Sequence, residues 1–531
     1  MSETPRSYTP RGGPGGFSRR RGRGLGSTIR IVGAVVGVFL VLVVWVSRDT
    51  HPIHEFIASD QKIQIVAPKA MKHRERVAQA PLWSSVPGLP LLISIRELLE
   101  DDFGFPEWML RNLVGGDVIV TGNDTERLSD LLFMTKMTTV GCVVQRMNRL
   151  RPGIAEDWAG GLRLRRLVGS DIWYTVRGRT LIASASRDSL VNALTLTPEA
   201  RADPESLEGL LSGDPSQNAR ATIRLDPDER LGRVFESLSF SLRVDDSGNS
   251  TLAFRSEFRE EWREKLAVTL RQTAPTELRA PFDGPIAISG DFGIPVKDLW
   301  VTIGELLDND NMSEERWESW ETGDGEAPIA EALASILGPA GPAFSMTWLG
   351  IDLNEVAPTP MILGTVNAEK ARVVEILEGL PRAPDSAAYM DTYAYYDPDL
   401  KRMHAPIMSG PSMEPTAAWH GDELLFSTSR LLAEVRLAES PVQRTPLPRR
   451  ANLYVNVQPQ TCMRILARAG QELADEGLLR NYTAEEFREV SAAWVEEASK
   501  VEQATFWLTV NNEAAVVELF VSPSRVPAPI D

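Results

Sequence analysis

One stretch of this 531-residue chain is written twice. Gly178-Arg-Thr-Leu-Ile-Ala-Ser-Ala-Ser-Arg187 returns as Gly421-Asp-Glu-Leu-Leu-Phe-Ser-Thr-Ser-Arg430, at an offset of 243 that keeps the glycine, one leucine, both serines and the arginine in place. Ala219-Arg-Ala-Thr-Ile-Arg-Leu-Asp-Pro227 matches Ala451-Asn-Leu-Tyr-Val-Asn-Val-Gln-Pro459 at an offset of 232. Both alternate apolar and polar residues, the period of a half-buried strand. Each is followed by a short apolar pattern, Leu231, Val234, Leu238 or Met463, Leu466. Ser241-Leu-Arg-Val-Asp245 matches Trp507-Leu-Thr-Val-Asn511, and each leads through a polar turn into another apolar strand. Upstream, Cys142–Leu150 resembles Arg372–Leu380 as a helix. Matched pieces in the same order mean a duplicated supersecondary unit, so whatever one copy folds into, the other must approximate.

Changing offsets locate what the second copy adds. One addition is a Tyr/Pro/Met-rich segment around Asp385–Pro415; the other is a helix near 483–501 opened by the capping box Thr483-x-x-Glu486. Between the copies, Phe258–Leu270 reads as an amphipathic helix. Pro285–Ser289 and Val296–Leu307 then read as a strand and a helix, followed by the acidic stretch Asp308–Ala327.

Charge is divided as unevenly as pattern. The chain carries 56 basic and 73 acidic side chains, yet its first thirty residues hold seven arginines against the single acid Glu3. After this basic Gly/Arg-rich tail comes Ile31–Ser47, seventeen residues without a charge. At about 1.5 Å per residue they reach roughly 25 Å, close to a hydrocarbon core. Arg30 and Arg48 flank the run and Trp45 stands near one end, as interfacial anchors do. No A-x-A-like cleavage site follows, so the expectation is an uncleaved transmembrane helix. The arginine excess then keeps the N-terminus cytoplasmic and puts the C-terminal bulk outside the inner membrane.

The fold class expected is α+β: a single N-terminal transmembrane helix and two related lobes of antiparallel sheet with helices on one face. Its parts are a tail (1–30), a transmembrane helix (31–47), a stalk (48–85), a first repeat (86–257), connecting helices with an acidic loop (258–335) and a second repeat (336–531). The anchor, the repeated Gly-x-x-Leu-Leu/Ile-x-Ser-x-Ser-Arg hairpin and the strand–helix unit resemble a group of bacterial membrane-anchored extracytoplasmic proteins of unknown function. That resemblance spans roughly residues 85–525. It implies a duplicated α+β domain in the cell envelope and carries no catalytic residues.

Chemistry is sparse. H-E-x-x-H, the P-loop, a strand-borne GxGxxG and G-x-S-x-G are all missing. His51, His54 and Glu55 supply metal-ligating groups, but Pro52 breaks the helical spacing that would aim them together, and a wet juxtamembrane segment is the better reading. Ser186 and Ser429 end strands before helical patterns, the place of an N-cap. The carboxylate pairs Asp101-Asp102, Asp245-Asp246 and Glu485-Glu486 are too ordinary to mark an active site. Asp308–Glu314 lacks the sixth-position glycine and the terminal glutamate of a calcium loop. Cys142 and Cys462 fit either a bridge between the lobes or two buried thiols.

No catalytic, cofactor-binding or metal-binding residue is therefore assigned and no cofactor is expected. The ectodomain is too acidic for a nucleic-acid footprint. The function expected is a non-enzymatic binding or structural role in the cell envelope, with the membrane held through Ile31 to Ser47 and an envelope protein as partner. The alternatives are an extracytoplasmic hydrolase with an interlobe carboxylate site and a small-ligand or lipid-binding protein. A broad exposed patch carrying insert residues such as Tyr393, Tyr395 and Tyr396 would favour protein binding, an apolar cavity would favour a ligand, and a deep interlobe pocket lined by carboxylates of raised pKa would favour the hydrolase.

Overall fold

The computed structural model describes residues 50–80, 107–123, 128–147, 154–159, 161–167, 171–205, 217–269, 274–279, 282–322, 340–353, 358–368, 370–379, 395–397, 402–404, 414–421, 423–438, 444–447, 449–479 and 481–524. The first ten strands are β1 (Ile63–Ala67), β2 (Val118–Gly122), β3 (Leu132–Lys136), β4 (Ile154–Ala159), β5 (Leu162–Leu167), β6 (Trp173–Arg177), β7 (Thr180–Ser184), β8 (Ala219–Arg224), β9 (Phe235–Val244) and β10 (Ser250–Phe258). After them come β11 (Glu277–Arg279), β12 (Ile286–Asp291), β13 (Ala340–Asp352), β14 (Thr359–Ala368), β15 (Tyr395–Asp397), β16 (Arg402–His404), β17 (Thr416–His420) and β18 (Glu423–Ser427). The last are β19 (Arg444–Pro446), β20 (Leu453–Val457), β21 (Val501–Val510) and β22 (Ala514–Pro523).

Twenty of these strands form one sheet and every pairing is antiparallel; β11 and β19 pair separately. From one edge to the seam the order is β4-β5-β6-β7-β3-β2-β1-β8-β9-β10. From the other edge inward it is β15-β16-β17-β18-β14-β13-β12-β20-β21-β22, the same order again. The halves meet where β10 pairs with β22 along eight residues, Ser250↔Val521 to Glu257↔Ala514. Leu252 and Val517 occupy matching places, opposite Leu242 and Leu508, so Ala253 matches Glu518. Ala253 also pairs with Glu518, and the pseudo-twofold axis passes between them.

This corrects the expected fold. The chain is one large antiparallel sheet with few helices rather than an α+β pair of lobes below a membrane helix. The reason is edge chemistry: β10 and β22 would each end a lobe with unpaired backbone donors and acceptors, and pairing them with one another removes both edges. Alternation along a strand does not say which strand lies beside it.

The single-pass transmembrane and inner-membrane expectation is corrected too. Among the described residues no helix is long and apolar enough to cross a membrane. The longest, Pro459–Asp475, places Arg464, Arg468 and Glu472 along its length. Ile31–Ser47, on which that expectation rested, lies outside the described residues.

β1 falls within residues 48–85, read from sequence as a stalk, and β12 within the connector; each is the strand from which its copy is built outward, β1 between β2 and β8, β12 between β13 and β20. The repeated glycine opens the two-residue turns of β6–β7 and β17–β18, with φ of 58° at Gly178 and 65° at Gly421, where a side chain would be strained. The strand match at offset 232 is two residues out. Ala219 opposes Leu242 and Leu453 opposes Leu508, which sets the offset at 234. A two-residue slip leaves an alternating strand's faces unchanged, so alternation could not detect it.

Two buried asparagines fix the true register. Asn218 and Asn452 stand just before β8 and β20, and their side-chain oxygens accept from the N–H of Val244 and Val510, at the ends of β9 and β21. Between β8 and β9 the first copy has only the turn Leu231–Arg233, whereas the second inserts the helices Pro459–Asp475 and Ala484–Ser499 between β20 and β21. The second of these carries the Thr483/Glu486 capping box.

Candidate functional site

Directly paired residues of neighbouring strands point to the same face. Across the sheet centre one face therefore carries the row Ile65, Ala221, Phe240, Phe254, Val517, Leu508, Leu453. Its image under the pseudo-twofold is the adjoining row Ile288, Val455, Phe506, Leu519, Leu252, Leu242, Ala219. No side chain in either row can hydrogen-bond. At a strand spacing of about 4.8 Å, seven strands span roughly 29 Å.

Each end of this face is covered. Val77 and Ala80, from the helix Ala70–Gln79 and its C-cap, pack on Leu242, Val244, Leu252 and Val521. At the other end Trp262 and Leu266, from the helix Glu260–Thr269, pack with Phe258, Val510 and Ala515. Between the two clusters Phe254 is 44% exposed in the middle of a central strand, its ring 5.6 Å from that of Phe240. An aromatic left this open among apolar neighbours forfeits burial worth about 1 kcal/mol.

The opposite face is polar at the centre: Arg220, Ser241, Ala253, Glu518, Trp507 and Tyr454 share a row. Arg449 pairs with Glu518 and lies 4.3 Å above the Trp507 ring. Further out the same face turns apolar, with Val66, Ile119, Met134 and Ile182 in one core.

The residues weighed from sequence fall in separate places. Ile53, Phe56 and Ile57 sink into that core, so His51, His54 and Glu55 belong to a segment packed on the sheet; His51 bonds Glu55 at 3.1 Å and its carbonyl accepts from Lys136 and Thr180. Ser186 and Ser429 are helix N-caps, accepting from the N–H of Ser189 and Leu432. Asp245 closes the β9–β10 turn by accepting from the N–H of Ser247 and Asn249. Asp246 pairs with Arg76, and Glu486 completes its capping box; Asp101-Asp102 lies outside the described residues.

Asp308 ends the helix Val296–Leu307 in a left-handed conformation. Cys142 and Cys462 are separate buried thiols, and burial raises the pKa of Cys462. Tyr396 is a core residue, packed with Val366, Val373 and Met403. Tyr393 and the side chain of Tyr395 lie outside the described residues. Among the described residues no three His, Cys, Asp or Glu side chains gather as a metal ion would require.

Carboxylates with clearly displaced pKa values move downward. Arg163 hydrogen-bonds Glu156, the Trp158 N–H and then Arg187 bond Asp157, and the Thr483 N–H bonds Glu486. Each favours the anion, which suits a structural acceptor and not a general acid.

Sequence reasoning passed over two features. The repeated arginine acts alike in both copies: Arg187 reaches Asp157 at 3.0 Å, and Arg430 reaches Glu414 at 3.2 Å. Its recurrence was the available signal. The second is a buried cluster around His404, whose Nδ1 lies 3.0 Å from Thr416 Oγ1 and 3.7 Å from Glu414. A lone histidine in an insert gave no sign of it.

No family model and no curated protein matches the chain. A solved structure entitled crystal form I of TP0453 aligns with 40% of this chain and 80% of its own at 6% identity, and its TM-score of 0.25 is too low to inform fold or function.

Proposed function

We propose that the chain is a non-enzymatic binding protein whose ligand rests on the apolar face at the sheet centre. The observation that carries this reading is Phe254, left open on a central strand within a row of seven apolar side chains. Contiguous apolar surface of this kind marks binding sites more often than idle surface. Central strands have both neighbours, so the backbone offers a ligand nothing and recognition falls to the side chains.

The test places a photo-crosslinking phenylalanine analogue at position 254, and at Val435, a more open helix residue, as a control. A discrete adduct from 254 and none from 435 is expected. Equal labelling at both positions, or none at either, overturns the reading.

A further inference from the structure

We propose that His404 and Glu414 form a proton-operated latch that fastens the β15–β16–β17 edge to the second copy, opening as the solution turns acidic. His404 is 2% exposed on β16, its Nδ1 facing both Thr416 Oγ1 of β17 and the carboxylate of Glu414, which is itself 6% exposed. Glu414 also holds Arg430, the first residue of the helix Arg430–Leu437. Arg430 and Arg402 both reach Glu434 on that helix, at 3.7 and 3.4 Å. One network thus ties two edge strands, the approach to β17 and a helix together.

Loss of hydration on burial acts most strongly on the imidazole and disfavours its charged form; Glu414 and Asp397 favour that form, and Arg430 and Arg402 oppose it. The ring is neutral in the folded cluster at neutral pH. Its folded pKa lies below that of the unfolded chain, so the open state binds more protons. The latch is at full strength above about pH 6.5, the ordinary histidine value, and weakens as pH falls below it. Opening would uncover Tyr396 and Met403, which the closed edge holds in its core.

The first copy supplies an internal control. Trp173 and Thr416 both oppose the last residue of the following strand, Ser184 or Ser427, and Arg166 pairs with Trp173 as His404 pairs with Thr416. Arg166 therefore stands where His404 does, 5.5 Å above the Trp173 ring. Arginine keeps its charge throughout the range, so that edge has no such proton dependence.

Hydrogen exchange of the full chain at pH 7.5 and 5.5, corrected for intrinsic rates, tests this. A single histidine that takes up its proton on opening predicts a loss of protection over that interval that reaches about tenfold at most. The loss is expected in peptides covering 395–404, where it disappears in His404→Gln, and in 416–427, where the variant keeps only the part due to His420; it is absent from 154–166 and 173–184 in both proteins. His404→Asn serves if the glutamine variant does not fold. An equal loss in wild type and variant, a loss shared by both copies, or no loss in wild type overturns the latch.

Discussion

Asn452 shows how much of this sheet depends on single polar atoms. It is buried, its side-chain oxygen accepts from the Val510 N–H at 2.8 Å, and its amide donates to the Asp291 carbonyl at 3.1 Å. Asn452→Ala leaves both partners in the interior without replacement, and the expected cost is about 1–3 kcal/mol, read from urea denaturation. Asn218, at the matching place in the first copy, makes the corresponding bond to Val244. His420 on β17 is buried as well. Burial, and next Arg436, push its pKa below the ordinary value, so the unfolded chain takes up the proton more readily. Its contribution to stability is complete above about pH 6.5 and is lost as pH falls toward the depressed value. The urea midpoint should therefore drop between pH 7.5 and 5.5, and His420→Asn should shrink that drop.

The two copies duplicate their helix caps. Ser429 accepts from Leu432 N–H at 3.4 Å and Ser186 from Ser189 N–H at 3.2 Å. Ser429→Ala should weaken the helix Arg430–Leu437 by about 1 kcal/mol, seen as faster amide exchange there and not in the helix Arg187–Leu194. Hairpins, caps and turns were legible in the sequence because glycine, serine, aspartate and asparagine act on neighbours a few positions away. Gly178, Ser186 and Asp245 are cases of this. Register was only half legible, because alternation repeats every two residues and the 232 offset satisfied it as well as 234 does. Strand order was not legible at all. Nothing local to Ser250–Phe258 says that its second neighbour is Ala514–Pro523, more than 250 residues away. The open apolar face was hidden for the same reason, since Phe254 reads as an ordinary inward strand residue until the cover at each end of its row is known.

The β10–β22 seam should make the two copies lose structure together. Tryptophan fluorescence and far-ultraviolet circular dichroism are expected to follow one coincident transition, since eight paired residues join the halves. Ala253→Pro removes a backbone donor at the axis and sets a rigid ring within two ladders. It should split that transition in two, whereas one unbroken transition in the variant would show that the halves are coupled elsewhere. The pair on the axis has a further meaning. In a sheet assembled from two identical chains, each residue there would oppose itself, and glutamate against glutamate would repel. Linked in one polypeptide, the position can hold alanine on one side and, on the other, a glutamate that Arg449 serves. The linkage also makes joining the halves an intramolecular event, governed by an effective concentration that the solution does not set. Dilution, which would part a dimer of the same design, leaves this sheet whole.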